Sequence, residues 1–138
     1  RADAMFQGET VNLTEKSPAL HVALRDPDKQ PIMVDGKDLV PDIEHTLERM
    51  QEVVEDILHQ RQTGWTGKAF TDVVSIGIGG SFLGPKLASE ALKPYWHGQL
   101  QPHYVANIDG THIAETLERV NPETTLFLIQ SKSFRTQE

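Results

Sequence analysis

The 138-residue chain contains no cysteine, and this absence excludes two kinds of structural support at once. No disulfide framework can form, and a zinc ion would have only histidine and carboxylate ligands. The six histidines never occur four residues apart, the spacing that places two ligands on one helix face, so no metal site is predicted. A chain without disulfides is consistent with an intracellular protein.

Long apolar runs and basic residues are also scarce. No hydrophobic run approaches the roughly 20 residues of a membrane-spanning helix, and no charged and then apolar leader opens the chain. Twenty acidic residues against 13 basic ones give a net charge of −7. Nucleic acids and membrane surfaces are polyanionic, so neither is expected as a partner. The first residue is arginine and not methionine, which suggests a processed or excised piece.

The chain does have enough apolar content for one ordinary domain with a core, because 38% of its residues are hydrophobic. Residues 1–12 show no sustained period and are expected to be irregular. Ser17 followed by Pro18 is typical of a helix start and predicts a short helix up to Leu24. An alternating strand over residues 20–24 is nearly as plausible.

A long amphipathic helix is predicted over residues 39–60, after a short strand at 32–34 and a turn at Asp35-Gly36. Its apolar residues recur at helical spacing: Leu39, Ile43, Leu47, Met50, Val53 or Val54, and Ile57. Like-charged residues four apart on the other face indicate solvent contact and not a catalytic carboxylate pair: Glu44, Glu48, Glu52, Glu55 and Asp56. We therefore expect residues 1–69 to form a helical and irregular N-terminal segment.

From residue 70 onward, strands and helices alternate. Strands are predicted over residues 72–78, 103–108 and 125–130, and helices over residues 84–94 and 111–120. Two successive strand-helix-strand units imply a parallel sheet with right-handed crossovers. The predicted fold class is α/β, with a partial doubly wound sheet over residues 70–138. So short a sheet exposes an unpaired edge, which predicts self-association or a mobile C-terminal loop.

The most informative stretch is the turn after the first of these strands. Buried β-branched residues run into Gly77, Gly79 and Gly80, and Ser81 follows. Glycines permit a sharp turn, which leaves backbone amides unpaired beside the serine hydroxyl. Free amides and the positive end of a helix dipole stabilise an anion without a lysine. A phosphate site is therefore predicted, with a ligand-free strand-to-helix turn as the alternative.

Two familiar nucleotide loops fit this turn badly. A G-x-G-x-x-G fingerprint that starts at Gly77 would have Phe82 at its third glycine. A P-loop starting at Gly79 would have Pro85 where the lysine is required. A nicotinamide dehydrogenase, in which Asp109 would bind the ribose, is disfavoured by the same glycine spacing. The turn is therefore expected to bind phosphate through its own amides and hydroxyl.

A second hydroxyl-rich loop follows the third strand, where Ser131, Ser133 and Thr136 accompany first-turn amides. The loop after the second strand differs, because Asp109 would repel a phosphate. A strand order of 2-1-3 would bring the two hydroxyl-rich loops together where the following helices change face, and ligands bind at such points. We favour this order over 1-2-3, in which the Asp109 loop would lie between them.

These stretches resemble the phosphoglucose isomerase family, and the resemblance extends over essentially the whole chain. The matching residues are 5–9, 20–25, 34–38, 66–68, 76–85, 107–113, 121–125 and 131–138. The resemblance implies the start of a flavodoxin-like sugar isomerase (SIS) subdomain at Phe70, with strand order 2-1-3-4-5. It also implies interconversion of glucose 6-phosphate and fructose 6-phosphate in glycolysis and gluconeogenesis, with no cofactor, by a cytoplasmic homodimer.

By motif position, the resemblance implies six residues that hold the sugar phosphate: Gly80, Ser81, Ser131, Lys132 through its backbone, Ser133 and Thr136. Several positions depart from the family pattern, among them the stretch near Leu13 and Ser17, where the family generally has arginine or tyrosine at one place or the other. Phe82 stands where aspartate is usual, Ser75 where asparagine is customary, and Ser133 and Arg135 where threonine is usual. Phe82 weakens the polar support of the turn but removes none of the phosphate donors.

The carboxylate base, histidine and lysine that serve ring opening and proton transfer in that family lie in later segments. No catalytic residue is therefore expected in these 138 residues, and the chain is expected to be an N-terminal piece that is inactive alone. The alternative is a non-catalytic sugar-phosphate sensor built on the same SIS fold.

Overall fold

The computed structural model describes residues 2–96, 98–132 and 134. The helices and strands in chain order are α1 (Ala2–Phe6), β1 (Thr10–Asn12), β2 (Ser17–Pro18), β3 (Met33–Val34), β4 (Lys37–Asp38), α2 (Val40–Leu58), β5 (Asp72–Ile76), α3 (Gly80–Ala91), β6 (Gln101–Val105), α4 (Gly110–Leu117) and β7 (Thr125–Ile129). The chain divides into two compact units, residues 1–53 and 54–138. No helix of the described residues is long and apolar enough to cross a bilayer.

The first unit contains two small antiparallel hairpins. β1 pairs with β2, and β3 pairs with β4 across the predicted Asp35-Gly36 turn. Asp35 and Gly36 have φ angles of 50° and 78°, as the tight turn of a two-residue hairpin requires. This confirms the short strand and turn expected at residues 32–36.

Two predictions for the first 25 residues are wrong. Residues 1–12 are not irregular, because they contain α1 and β1. Ser17 and Pro18 do not start a helix, because they form β2 and pair with β1. Proline is tolerated in such a short edge strand, where its missing amide breaks no ladder. A single 3₁₀ turn, Ala23–Arg25, stands where a helix or a strand was expected up to Leu24.

The long helix α2 lies within the predicted range of 39–60. The carboxylate of Asp38 accepts hydrogen bonds from the amides of Val40, at 3.1 Å, and Ile32, at 3.2 Å. It thereby satisfies a donor of the first helical turn and ties the helix start to the β3 hairpin. Glu48 and Glu52 are exposed, and Glu44 pairs with Lys29. The acidic residues thus belong to a solvated face, as predicted.

The second unit is built on a three-stranded parallel sheet of order β6-β5-β7. This is the predicted 2-1-3 order, and it confirms the α/β class. Asp72 pairs with Gln101 and Thr125, and Ile76 pairs with Val105 and Ile129 at the other end. The three strands are therefore in register, and their carboxyl ends meet along one edge of the sheet.

Strands β5 and β7 begin at the predicted residues 72 and 125, but several other boundaries of this unit lie earlier than predicted. β5 ends at Ile76, two residues before the expected end, and α3 begins at Gly80, four residues before Gly84. Pro85 is therefore inside α3, where it lacks the amide that would bond to the carbonyl of Ser81. The second strand is also shifted, to 101–105 from the predicted 103–108. Asp109 is the N-cap of α4, which begins at Gly110, one residue before the predicted start at 111.

The buried core of this unit lies on the α4 side of the sheet. Val74, with no exposed surface, packs with Val105 and Val120, and Ile76 and Ile113 cover them. On the other side, no residue of α3 is buried. The α3 side of the sheet is therefore much less tightly packed than the α4 side.

Strand β7 is an unprotected edge in the described part of the sheet. It pairs with β5 alone, and its sequence, Thr-Leu-Phe-Leu-Ile, contains no charge and no proline. Ile129 is 67% exposed. Such an edge is a template for pairing with another strand.

We expect the 138-residue chain to self-associate through this edge. Ile129→Lys should weaken the association by about tenfold, or about 1.4 kcal/mol, because it puts a charge on the edge strand. The measurement is sedimentation equilibrium over a concentration series. Leu87→Lys on α3, where the side chain is 69% exposed, is the matched control. A monomeric parent chain, or an equal effect of the two variants, would contradict this expectation.

Candidate phosphate-binding loops

The turn between β5 and α3 consists of only three residues, 77–79. Gly79 has a φ of 58° and a ψ of −122°, a combination that side chains rarely permit. The amide of Leu83 bonds to the carbonyl of Gly79 at 2.8 Å and closes the first helical turn. Within the described part of the chain, the backbone amides of Gly79 and Gly80 donate no hydrogen bond. Two exposed donors therefore lie beside Ser81 at the start of a helix.

Gly77 is the point at which the first loop lies against the chain that leads into the second. A Cβ atom at Gly77 would lie 2.8 Å from the Cβ of Ser81 and 3.0 Å from the carbonyl oxygen of Gln130. Gln130 donates its amide to the carbonyl of Ile76 at 2.8 Å and directly precedes Ser131 in the chain. The chain that leaves β7 therefore passes against the start of the first loop.

The buried side chain of Ser75 adds a second link between these segments. Its hydroxyl accepts a hydrogen bond from Nε2 of Gln130 at 3.2 Å. The link joins the interior of β5 to the residue that follows β7. A serine at this position therefore keeps a polar connection beneath the two loops.

The second loop is described only in part. Ser131 is half-buried, and its hydroxyl accepts a hydrogen bond from the amide of Phe134 at 3.1 Å. Lys132 is exposed. Ser133 and Thr136, two of the predicted phosphate-binding residues, lie outside the described residues. The role of this loop therefore stays a prediction.

The loop after β6 is organised around the start of α4. The carboxylate of Asp109 accepts a hydrogen bond from the amide of Thr111 at 2.9 Å. Hydrogen bonds from Thr111, first from its amide and then from its side chain, lower the pKa of Asp109, and the nearby His112 adds to the effect. Nδ1 of His112 accepts from the amide of Ala106 at 3.5 Å. Asp109 and His112 thus stabilise their own turn.

A cavity of about 760 Å³ lies beneath α3, on the sheet face that carries Val73 and Tyr104. Neither Ser81 nor Ser131 lines it, so it is separate from the two loops. No pattern in the amino-acid sequence predicts this space. Within residues 2–96, 98–132 and 134, no three histidine, aspartate or glutamate side chains are grouped closely enough to hold a metal ion.

The chain is similar in sequence to known proteins over nearly its whole length. A family model described as phosphoglucose isomerase matches residues 1–138. Glucose-6-phosphate isomerases from Shewanella baltica (strain OS185) and Shewanella halifaxensis (strain HAW-EB4) are each 56% identical over 135 residues. These alignments cover 98% of this chain and 25% of each relative. The chain thus spans about a quarter of the length of the curated relatives that it matches.

A solved structure shows a similar arrangement. The crystal structure of a glucose-6-phosphate isomerase from Chlamydia trachomatis superimposes with a TM-score of 0.73 and 31% sequence identity. The match covers 99% of this chain and 26% of that chain. The similarity therefore extends to the backbone as well as to the sequence.

Gly77→Ala should destabilise the second unit by about 1–3 kcal/mol, because the new methyl group would overlap Ser81 and the carbonyl of Gln130. Gly84→Ala is the matched control, since a Cβ there meets nothing within 4 Å. Inside α3 it should raise stability by about 0.5–1 kcal/mol. Urea denaturation of both variants measures the difference, and equal effects would contradict the close approach at Gly77.

Asp109→Ala should lower the melting temperature at neutral pH, because the first-turn amide of Thr111 loses its acceptor. Folding lowers the pKa of the Asp109 carboxyl. The carboxylate therefore stabilises the folded chain fully at pH values above the ordinary aspartate pKa of about 3.9. This stabilisation is lost as the pH falls through the lower folded pKa. Thermal unfolding at a series of pH values should show the difference between parent and variant shrinking in acid. A difference that persists unchanged in acid would argue against the carboxylate cap.

Proposed function

The chain belongs to the phosphoglucose isomerase family, and on this basis we propose that it forms one wall of the sugar-phosphate site of a glucose-6-phosphate isomerase. The observation that supports this proposal is the close approach of Gly77, in the first loop, to Gln130, the residue that precedes the second loop. In a parallel sheet of order 2-1-3, the loops after the first and third strands line one crevice, and ligands bind there. The substrates are glucose 6-phosphate and fructose 6-phosphate.

In this proposal the first loop binds the phosphate through neutral donors. The unpaired amide of Gly80 and the hydroxyl of Ser81 donate to phosphate oxygens, with the amide of Gly79 beside them. Helix α3 directs the positive end of its dipole toward the same place. These donors can bind the phosphate dianion without a buried positive charge. The exposed Lys132 attracts the phosphate at longer range.

The second loop supplies the opposite wall. We assign it Ser131, the backbone of Lys132, and the hydroxyls of Ser133 and Thr136. Two walls that each contribute hydroxyl and amide donors would surround the phosphate and leave the sugar free to extend away from the sheet edge. The phosphate then serves as a handle, and its binding energy holds the reacting carbons in place.

The chemical steps are assigned to groups outside these residues. Ring opening and proton transfer between C1 and C2 through an enediol need a general base and general acids. We assign no catalytic residue to this chain and no cofactor to the reaction. Since the matched relatives are isomerases, no observation favours the alternative of a sugar-phosphate sensor.

We assign residues 1–69 to an N-terminal segment and residues 70–138 to the beginning of an SIS-type subdomain. We also propose a cytoplasmic homodimer with no nucleic-acid or membrane partner. The net charge of −7 supports the last point, because it opposes binding to polyanions.

We expect this chain to support isomerase activity when it forms part of a full-length enzyme. A chimera can be made in which it replaces the matching 135 residues of the Shewanella baltica isomerase. The chimera should convert fructose 6-phosphate, whereas the 138-residue chain alone should not. In the chimera, Ser81→Ala should raise KM about tenfold with little change in kcat, because it removes a hydrogen bond to a charged group.

Thr46→Ala, which deletes an exposed hydroxyl in α2, is the matched control and should leave KM unchanged. An unchanged KM in the Ser81→Ala chimera would remove Ser81 from the phosphate site. Turnover by the chain alone would show that the chain contains its own catalytic base.

A further inference from the structure

A single side chain of β6 holds two turns of α3. The ring of Tyr104 meets the ring of Phe82 edge to face, with centroids 6.1 Å apart and planes inclined by 66°. The hydroxyl of Tyr104 donates to Oγ of Ser89 at 2.5 Å and lies 3.3 Å from the carbonyl oxygen of Pro85. Tyr104 therefore combines an aromatic contact at the start of the helix with a polar contact farther along it.

The residues that Tyr104 contacts lie on one face of α3. Phe82, Pro85 and Ser89 are separated by three and four positions, the spacing of neighbours along one side of a helix. Lys86 is on the same face, and its Nζ lies 5.4 Å from the centroid of the Phe82 ring, within the range of a cation–π interaction. The face that meets Tyr104 is thus ordered by contacts of its own.

Among the described residues, α3 is otherwise only weakly packed against the sheet. None of its 12 residues is buried, and Leu83 and Leu87 are 62% and 69% exposed. The cavity of about 760 Å³ separates part of the helix from the strands. Where close packing is missing, a few directional contacts determine the position of an element.

The Tyr104 contact begins directly beside the first loop. Ser81 lies against Gly77, the residue that follows β5, and the next residue, Phe82, packs against Tyr104 of β6. Two consecutive residues of the first helical turn therefore contact two different segments, the turn after β5 and strand β6. A rotation or a shift of α3 would break both contacts and would move the amide of Gly80.

We propose that Tyr104 is a positioning residue for the phosphate-binding loop. Through Phe82 and Ser89 it holds α3 so that the Gly80 amide and the Ser81 hydroxyl keep their place opposite the second loop. This inference rests on the proposed function. Tyr104 touches no substrate itself, so its loss should weaken phosphate binding without impairing the chemical step.

The test uses the full-length chimera and inorganic phosphate as a competitive inhibitor. Tyr104→Phe removes the hydroxyl and keeps the ring. It should raise KM for fructose 6-phosphate and Ki for phosphate together by about fivefold, with kcat within about twofold, because contacts made equally in the ground state and transition state affect KM alone. Phe82→Leu, which keeps an apolar side chain but removes the ring contact, should act in the same direction.

Tyr95→Phe is the matched control, because it deletes the same atom from a side chain that is 78% exposed. It should change neither constant. If Tyr104→Phe fails to fold, Ser89→Ala tests the same hydrogen bond from the helix side. Melting temperatures of all variants identify a purely structural effect.

A lower melting temperature with unchanged KM and Ki in Tyr104→Phe would overturn the positioning role, as would an equal effect of Tyr95→Phe. Two other results would contradict the proposed function itself. If phosphate does not inhibit the parent chimera, or if Ser81→Ala leaves Ki unchanged, the first loop is not the phosphate site. If Ser81→Ala raises Ki and Tyr104→Phe does not, only the role of Tyr104 is lost.

Discussion

The close approach of two chain segments at Gly77 is the constraint on which the carboxyl edge of the sheet depends. β5 is the central strand, so the segments that leave β5 and β7 emerge side by side. They come so close that a single methyl group at Gly77 would lie 2.8 Å from Ser81 and 3.0 Å from Gln130. The glycine therefore does more than permit a turn, because it lets the chain that leads into the second loop pass directly against the first loop.

The sheet order could be predicted from the sequence, whereas several element boundaries could not. Alternating strand and helix patterns imply a parallel sheet, and the placement of polar loops at a switch point selects the 2-1-3 order. The predicted start of α3, at residue 84, was wrong. Proline is common at the first helical position, so Pro85 indicated a helix start there. In the structure the helix begins earlier, since Gly79 turns the chain with a positive φ and accepts the bond that closes the first turn. Similarly, β2 depends on pairing with β1, a tertiary effect that overrides the local helix-start signal at Ser17-Pro18.

The candidate site was predictable to a similar extent. The glycine turn at residues 77–81 has a strong local signal, and the structure brings it against the residue that precedes Ser131. The contacts of Tyr104 with α3 were not predictable, because they join a strand to a helix. The hydrogen bond to Ser89, for example, links residues that are 15 positions apart in the chain. These contacts also depend on where α3 begins, since that start sets which helix face meets the sheet. The aromatic ring of Phe82 is thus part of the packing beside the turn.

The most direct measurement of the central claim is an NMR titration of the ¹⁵N-labelled 138-residue chain with inorganic phosphate. If the two loops form one phosphate site, the amide signals of Gly79, Gly80 and Ser81 should shift together with those of Ser131 and Lys132. All should follow one binding curve, while the amides of the loop after β6 stay unchanged. Shifts confined to one loop, or separate binding curves for the two loops, would contradict a shared phosphate site at the meeting point of β5 and β7.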